Sequence, residues 1–271
     1  MRKLSANYIY PISSSPLKNG ILILDENNYI VDLINTNGKI KEIENLEFYS
    51  GVIVPGFVDV FTLLGFPGFT KNDFLACAAV NFESALKEKL LQKKETFALV
   101  QKGINQLEAY GTKVAADYHL ESNFAVQKQK SKLHFQNVNL LHSNPTFTAP
   151  TIKEKRNSLE SILVNRILLE NQATSCISIN EQNQYCIGTG SLGMTQKLSV
   201  FEELKSLQVL LPELSFGDLL KWASYNGAKH LGIEHEFGSL EIGKKPGINL
   251  LSHLDYTNEK FKATSELIVL A

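Results

Sequence analysis

The run Gly51-Val-Ile-Val-Pro-Gly-Phe-Val-Asp-Val-Phe-Thr-Leu-Leu64 carries a single charge, Asp59, and stays almost wholly apolar as far as Phe69. A strand of that composition has no face to turn toward water, so it belongs in a parallel sheet covered on both sides, and the chain is read as α/β. A membrane-spanning helix is excluded for the same residues by Pro55, Pro67 and four glycines between Gly51 and Phe69.

The flanking sequence supports an alternating architecture. Before residue 50, Tyr8-Ile-Tyr10, Gly20 to Leu24, Tyr29 to Leu33 and the segment near Phe48 read as short strands, punctuated by turns at Asn27-Asn28 and Asn37-Gly38. Further on, Phe97, Val100, Ile104 and Leu107 recur at helical spacing, with Gly111 placed to cap the carboxyl end. Lys113 to Tyr118 and Leu133 to Leu141 read as the next strands. Ser215 is positioned to cap a helix with Phe216, Leu219, Leu220 and Ala223 on one face and Asp218 in its first turn.

Three segments, in this order along the chain, resemble the amidohydrolase superfamily, specifically its chlorohydrolase, cytosine deaminase and aminofutalosine deaminase-like group. The first is the apolar run above, which follows the family's Pro-Gly-Phe-x-Asp-x-His-x-His with Phe61 and Leu63 where the two histidines stand. The second, Cys186-Ile-Gly-Thr-Gly-Ser-Leu192, is similar to Gly-Thr-Asp-Ser-Leu, with Gly190 in place of the aspartate. The third, Asn226 to Leu250, is similar to the passage in which a last barrel helix ends at Leu-Gly and a Gly-Ser-Leu-Glu-x-Gly-Lys turn leads into a final strand. The resemblance runs from Met1 to about Glu95 and resumes at about Tyr185, with an eroded centre.

The resemblance implies a TIM-like (β/α) barrel over residues 51–239. It also implies a small β-sandwich layer built by both chain ends, residues 1–50 and 240–271, in which Ile248 to Leu251 and Leu267 to Leu270 join the amino-terminal strands. The barrel is expected to be truncated. Eight units take about 250 residues, and the stretch from Gly51 to Leu231 is shorter than that, with a near-direct passage from His142 through Lys153 to Gln172.

In the family, the two histidines and the aspartate hold zinc or iron, which activates water for hydrolysis of a carbon–nitrogen bond. Phenyl, isobutyl and hydrogen donate no electron pair, so Phe61, Leu63 and Gly190 are degenerate positions and no cofactor is expected. Six histidines remain. His119 and His142 follow strands and fall where catalytic groups of this fold gather, and with Asp117 they are the alternative ligand set. His134 begins a strand, and His230, His235 and His253 fall in the carboxyl-terminal helix and turns. The glycine-rich Gly188 to Gly193 lacks the lysine of a phosphate-binding loop, Ser191 has no base partner at recognisable spacing, and Lys244-Lys245 reads as a solvated turn.

A net charge of −1 gives no electrostatic support for nucleic-acid binding. Cys77, Cys176 and Cys186 show no disulfide or metal spacing and indicate a reducing, cytoplasmic setting, with Cys176 and Cys186 acting as small hydrophobes. The expected function is that of a degenerate amidohydrolase without metal-dependent activity, working as a homo-oligomer or as a subunit beside an active amidohydrolase. The alternative is a deaminase-type hydrolase with a rebuilt site.

Overall fold

The computed structural model describes residues 1–142, 161–171 and 184–271. Residues 143–160 and 172–183, which include Cys176 and most of the passage noted above, lie outside the described residues.

The amino-terminal layer comprises β1 (Arg2–Ile9), β2 (Leu17–Lys18), β3 (Ile21–Leu24), β4 (Ile30–Ile34) and β5 (Leu46–Pro55). The turn between β3 and β4 forms because the Asp25 carboxylate accepts the amides of Asn27 and Tyr29 at 2.9 and 2.8 Å, while Asn28 takes a left-handed φ of 65°. The Asn37-Gly38 turn does not make a hairpin, because β5 passes β4 and pairs in parallel with β1.

The second layer begins with β6 (Phe57–Thr62) and continues through α1 (Lys71–Ala78), α2 (Phe82–Leu91), α3 (Val100–Ala109), β7 (Thr112–His119), α4 (Ala125–Lys128) and β8 (His134–Asn139). After it come β9 (Ser161–Val164), α5 (Arg166–Asn171), β10 (Gln184–Ile187), α6 (Val200–Leu210), α7 (Phe216–Trp222) and α8 (Tyr225–His230). The chain closes with β11 (Ile248–Ser252) and β12 (Glu266–Val269).

Both chain ends meet in one seven-stranded sheet of order β12-β11-β5-β1-β3-β4, with β2 beside β1. The expected sandwich therefore takes the form of a single hydrogen-bonded sheet. Leu4, Leu22, Leu24, Ile30, Ile53, Ile248 and Leu250 pack together on one face, which requires the twisted sheet to curl around them. Val52, Val54 and Leu251 point the other way, onto α6 and α7. The Arg2 guanidinium donates to Leu270 O at 2.6 Å and fixes the two termini together. β5 runs without interruption across residues 50 and 51.

The barrel-like half consists of parallel strands. β6, β7 and β8 form one group, β9 and β10 another, and a bridge between Thr62 and Gly190 joins them in the order β8-β7-β6-β10-β9. Among the described residues this arc does not close. The β9–α5 pair is a strand–helix unit that the sequence reading passed over. α3 covers the outer side of the arc through Val100, Ile104 and Leu107, which cluster with Leu64 and Ala115. Phe97 does not join that face; it precedes the helix, 60 % exposed, with its ring edge-on to Phe124. Ser215 caps α7 in a capping box with Asp218, as its spacing predicts. Lys244 is buried, against expectation, and its ammonium ties the closing turn by donating to Ser239 Oγ at 2.7 Å and pairing with Glu241 at 2.9 Å.

Candidate functional site

Every residue of β6 is buried. A register shift against β7 between Asp59 and Thr62 sets which of its side chains share a face. Phe61 and Leu63 lie in one cluster with Val114, Ala116 and Tyr118. Leu64 lies in the cluster of Ala115 and α3, on the other face. Asp117 and His119 have the parity of Ala115, and Thr62 Oγ1 reaches Asp117 Oδ1 at 3.3 Å, so they too lie on the α3 side.

The face of β6 on which the resemblance expects metal ligands is thus packed with rings. The Phe61 ring lies 5.3 Å from Tyr118, 5.7 Å from Phe82 and 5.9 Å from Phe74, centroid to centroid. Phe74 and Phe82 meet edge to face at 5.7 Å, a favoured aromatic geometry. They arrive on α1 and α2, whose starts are set by a Thr70–Asp73 capping box and by the Asn81 side chain. These two short helices cover the inner face of the open arc with Phe74, Cys77, Phe82, Leu86 and Leu90.

Gly190 closes the other side. Its amide donates to Phe61 O at 2.8 Å and its carbonyl accepts from Leu63 N at 2.9 Å, so all three degenerate positions are linked through the backbone. A φ of 76° disfavours any side chain there, and the Sδ of Met194, 2.5 Å from where a Cβ would stand, would have to swing aside. At Gly188 a Cβ would fall 2.6 Å from the Cβ of Phe61. The Ser191 hydroxyl donates to Phe69 O at 2.5 Å and accepts the amides of Gly193 and Met194, both at 3.2 Å. It is committed to holding the loop.

A metal ion of the family's kind does not fit these residues. Phe61, Leu63 and Gly190 supply no nitrogen or oxygen side-chain donor, and the space between them is filled by carbon and a thioether. Among the described residues no three His, Cys, Asp or Glu side chains gather as a ligand group.

The alternative set is split. Asp117 is wholly buried; its Oδ1 accepts from Leu64 N at 2.9 Å and its Oδ2 pairs with Lys128 Nζ at 2.6 Å. Burial pushes its pKa up, opposed by the Lys128 charge. His119 is 5 % exposed and its Nδ1 has no hydrogen-bond partner. Burial, and next the Lys128 charge, hold its pKa down. His142 lies in an exposed turn beyond β8. Of the remaining histidines, His134 is exposed at the start of β8 with its ring 5.0 Å from Phe237, and His235 and His253 are exposed. His230 is half-buried, and burial lowers its pKa to about 4.

Two buried carboxylates were not singled out from sequence. Asp59 Oδ1 accepts the amides of Thr189 and Phe61 at 3.1 and 3.2 Å, and its Oδ2 accepts from Thr189 Oγ1 at 2.6 Å. It thereby clamps β6 to the loop after β10. Burial raises its pKa to about 7 against those bonds. Glu203, on α6, accepts from Arg166 N at 2.8 Å and pairs with the Arg166 side chain at 3.3 Å; burial again raises its pKa to about 7. Asp59 stands in the sequence as the lone charge of an apolar run, whereas Glu203, close to Glu202 and Lys205, carries no such signal.

Fold and site together define a class: an α/β arc, open among the described residues, with a sheet built from both termini and a face of β6 packed with hydrocarbon. The sequence profile of the amidohydrolase family matches residues 101–268, and the chain belongs to that family. The matched stretch includes Gly190 and begins beyond Phe61 and Leu63. No curated protein matches by sequence. The structure is similar to a zinc-bound adenosine deaminase from Xanthomonas campestris, with a TM-score of 0.60 and 12% identity over 92% of this chain and 84% of that one. It is similar to the Helicobacter pylori aminofutalosine deaminase, with a TM-score of 0.58 and 11% identity over 95% of this chain and 94% of that one. The Escherichia coli guanine deaminase gives a TM-score of 0.56 and 12% identity over 92% of this chain and 88% of that one. At such identities the likeness is one of fold. No helix among the described residues is long and apolar enough to cross a membrane.

Proposed function

We propose that this chain is a non-catalytic amidohydrolase homologue of the cytoplasm that works by association, either with copies of itself or as a subunit beside an active amidohydrolase. The observation that carries the reading is the ring cluster around Phe61. A catalytic site of this family needs an aqueous cleft with lone-pair donors, and here Phe61, Phe74, Phe82 and Tyr118 pack as core. The free, buried thiols of Cys77 and Cys186 support a reducing compartment.

Elemental analysis of the purified protein, joined to a carbon–nitrogen hydrolase assay and to identification of co-purifying proteins, tests this. The expected result is sub-stoichiometric zinc and iron, no turnover, and recovery as an oligomer or with an active family member. Stoichiometric metal with chelator-sensitive turnover overturns it.

One observation favours a second reading, a deaminase-type hydrolase with a rebuilt site: the unpartnered Nδ1 of His119 two residues from Asp117. That reading requires metal and turnover that are both lost in His119→Gln and His142→Gln.

A further inference from the structure

The best-defined buried charge in the barrel half is a cation supplied by the chain itself. Lys128 is 7 % exposed. Its ammonium pairs with Asp117 Oδ2 at 2.6 Å, donates to Asn137 Oδ1 at 2.5 Å and stands 5.1 Å from the centroid of the Phe135 ring. Two oxygens from adjacent strands and an aromatic face therefore surround it. A buried ammonium is retained only where such partners replace its water. The carboxylate is held in turn by Leu64 N and Thr62 Oγ1, at 2.9 and 3.3 Å, so the charge ties β6, β7, β8 and α4 together. On the same face of β7 and two residues along, His119 keeps an unpartnered, buried Nδ1.

Carboxylate and amide oxygens joined by an imidazole nitrogen are donors that a divalent ion of the zinc type accepts. All of them lie on the α3 side of the strands, across the sheet from Phe61, and their chemistry does not depend on whether the chain hydrolyses anything.

We propose that Lys128 is a resident cation occupying a latent metal site, and that removing its side chain turns Asp117, Asn137 and His119 into ligands for a zinc-type ion. In the native protein the ammonium does the joining that a bound ion would do, and folding needs no metal at this place.

The test compares the native protein with Lys128→Ala, Lys128→Met and the double variant Asp117→Asn/Lys128→Ala. Each is titrated with zinc chloride by calorimetry and melted with and without the metal. The native protein is expected to melt at the same temperature in zinc or chelator. Lys128→Ala is expected to take one equivalent of zinc and to gain about 5–10 °C when the metal is about 100-fold above its Kd. Lys128→Met fills the space without charge and is expected to gain nothing, as is the double variant. The proposal is overturned if Lys128→Ala takes no zinc, or if the double variant takes as much, which would place the ion on surface histidines. Should Lys128→Ala be isolated unfolded, it is refolded from urea with and without zinc. Recovery only with zinc supports the proposal, and recovery no better than that of Lys128→Met sinks it.

Discussion

The Sδ of Met194 stands 2.5 Å from the place a Cβ on Gly190 would occupy, so one residue of the loop after β10 fills the room that its neighbour gives up. Together with the 76° φ of Gly190, this makes the loss of a side chain at that position part of the packing.

Gly190→Asp is therefore expected to destabilise the protein by about 1–3 kcal/mol, from a strained backbone and displacement of Met194. Pairing it with Met194→Ala relieves the overlap but also removes a buried thioether from the core, so the double variant is read against Met194→Ala alone to isolate the backbone cost. Urea denaturation of the three variants measures the difference. A Gly190→Asp protein as stable as the native chain contradicts the packing described.

Phe61→Ala opens a hole among Phe74, Phe82 and Tyr118 and is expected to cost about 3–5 kcal/mol, in the range of buried phenylalanine truncations. Installing the pattern of the resembling family with Phe61→His and Leu63→His, alone or with Gly190→Asp, is expected to yield neither bound zinc nor turnover, because Phe74, Phe82 and Met194 still occupy the space. Zinc content and urea midpoints check both statements.

Asp59 and Glu203 are expected to contribute stability that falls as pH rises from about 4 to about 7. His230 opposes them, because its lowered pKa makes the unfolded chain the better proton binder over the lower part of that window. Burial raises the carboxyls of Asp59 and Glu203 to about 7, while the unfolded chain releases the same protons near ordinary carboxylate values. At these two carboxyls the folded state therefore holds more protons in that window. The stabilisation is full below the unfolded pKa and is lost as pH passes through the folded one. Asp59→Asn keeps Oδ1 for the amides of Thr189 and Phe61 and can donate to Thr189 Oγ1. It is expected to remain folded and to flatten the profile in guanidinium melts taken across that range. A variant with the native slope shows that Asp59 does not carry it.

Lys128→Met leaves the Asp117 carboxylate buried without its counter-charge and is expected to cost about 3–5 kcal/mol, whereas the paired change Asp117→Asn/Lys128→Met recovers part of that loss. A double-mutant cycle from chemical denaturation gives the coupling directly, and additive losses would deny the pair.

The family and much of the strand and helix pattern were legible in the chain. The apolar run at Gly51 to Leu64 predicts a fully buried parallel strand, and β6 is one. Ser215 with Asp218 predicts the start of α7, since a capping box is a local hydrogen-bond arrangement. The β9–α5 unit was missed because Ser161–Val164 is too short to show periodicity, and its partner, β10, is distant in sequence. The partners of Asp59 and Lys128 were missed because a charged residue does not announce whether it will meet position 189 or 117.

What the sequence alone determined was chemical inventory: hydrocarbon and hydrogen at positions 61, 63 and 190, where the resemblance leads one to expect histidines and an aspartate, and no side-chain lone pair among them. Side-chain identity is enough for that. The tertiary structure decided what fills the gap and which face each remaining polar group occupies. Phe74 and Phe82 close over Phe61, Met194 takes the place beside Gly190, and the register shift in β6 sends Asp117 and His119 to the opposite side of the sheet. Those outcomes depend on contacts between residues far apart in the chain and on a bulge of one strand against another, and neither leaves a periodic trace in the order of amino acids.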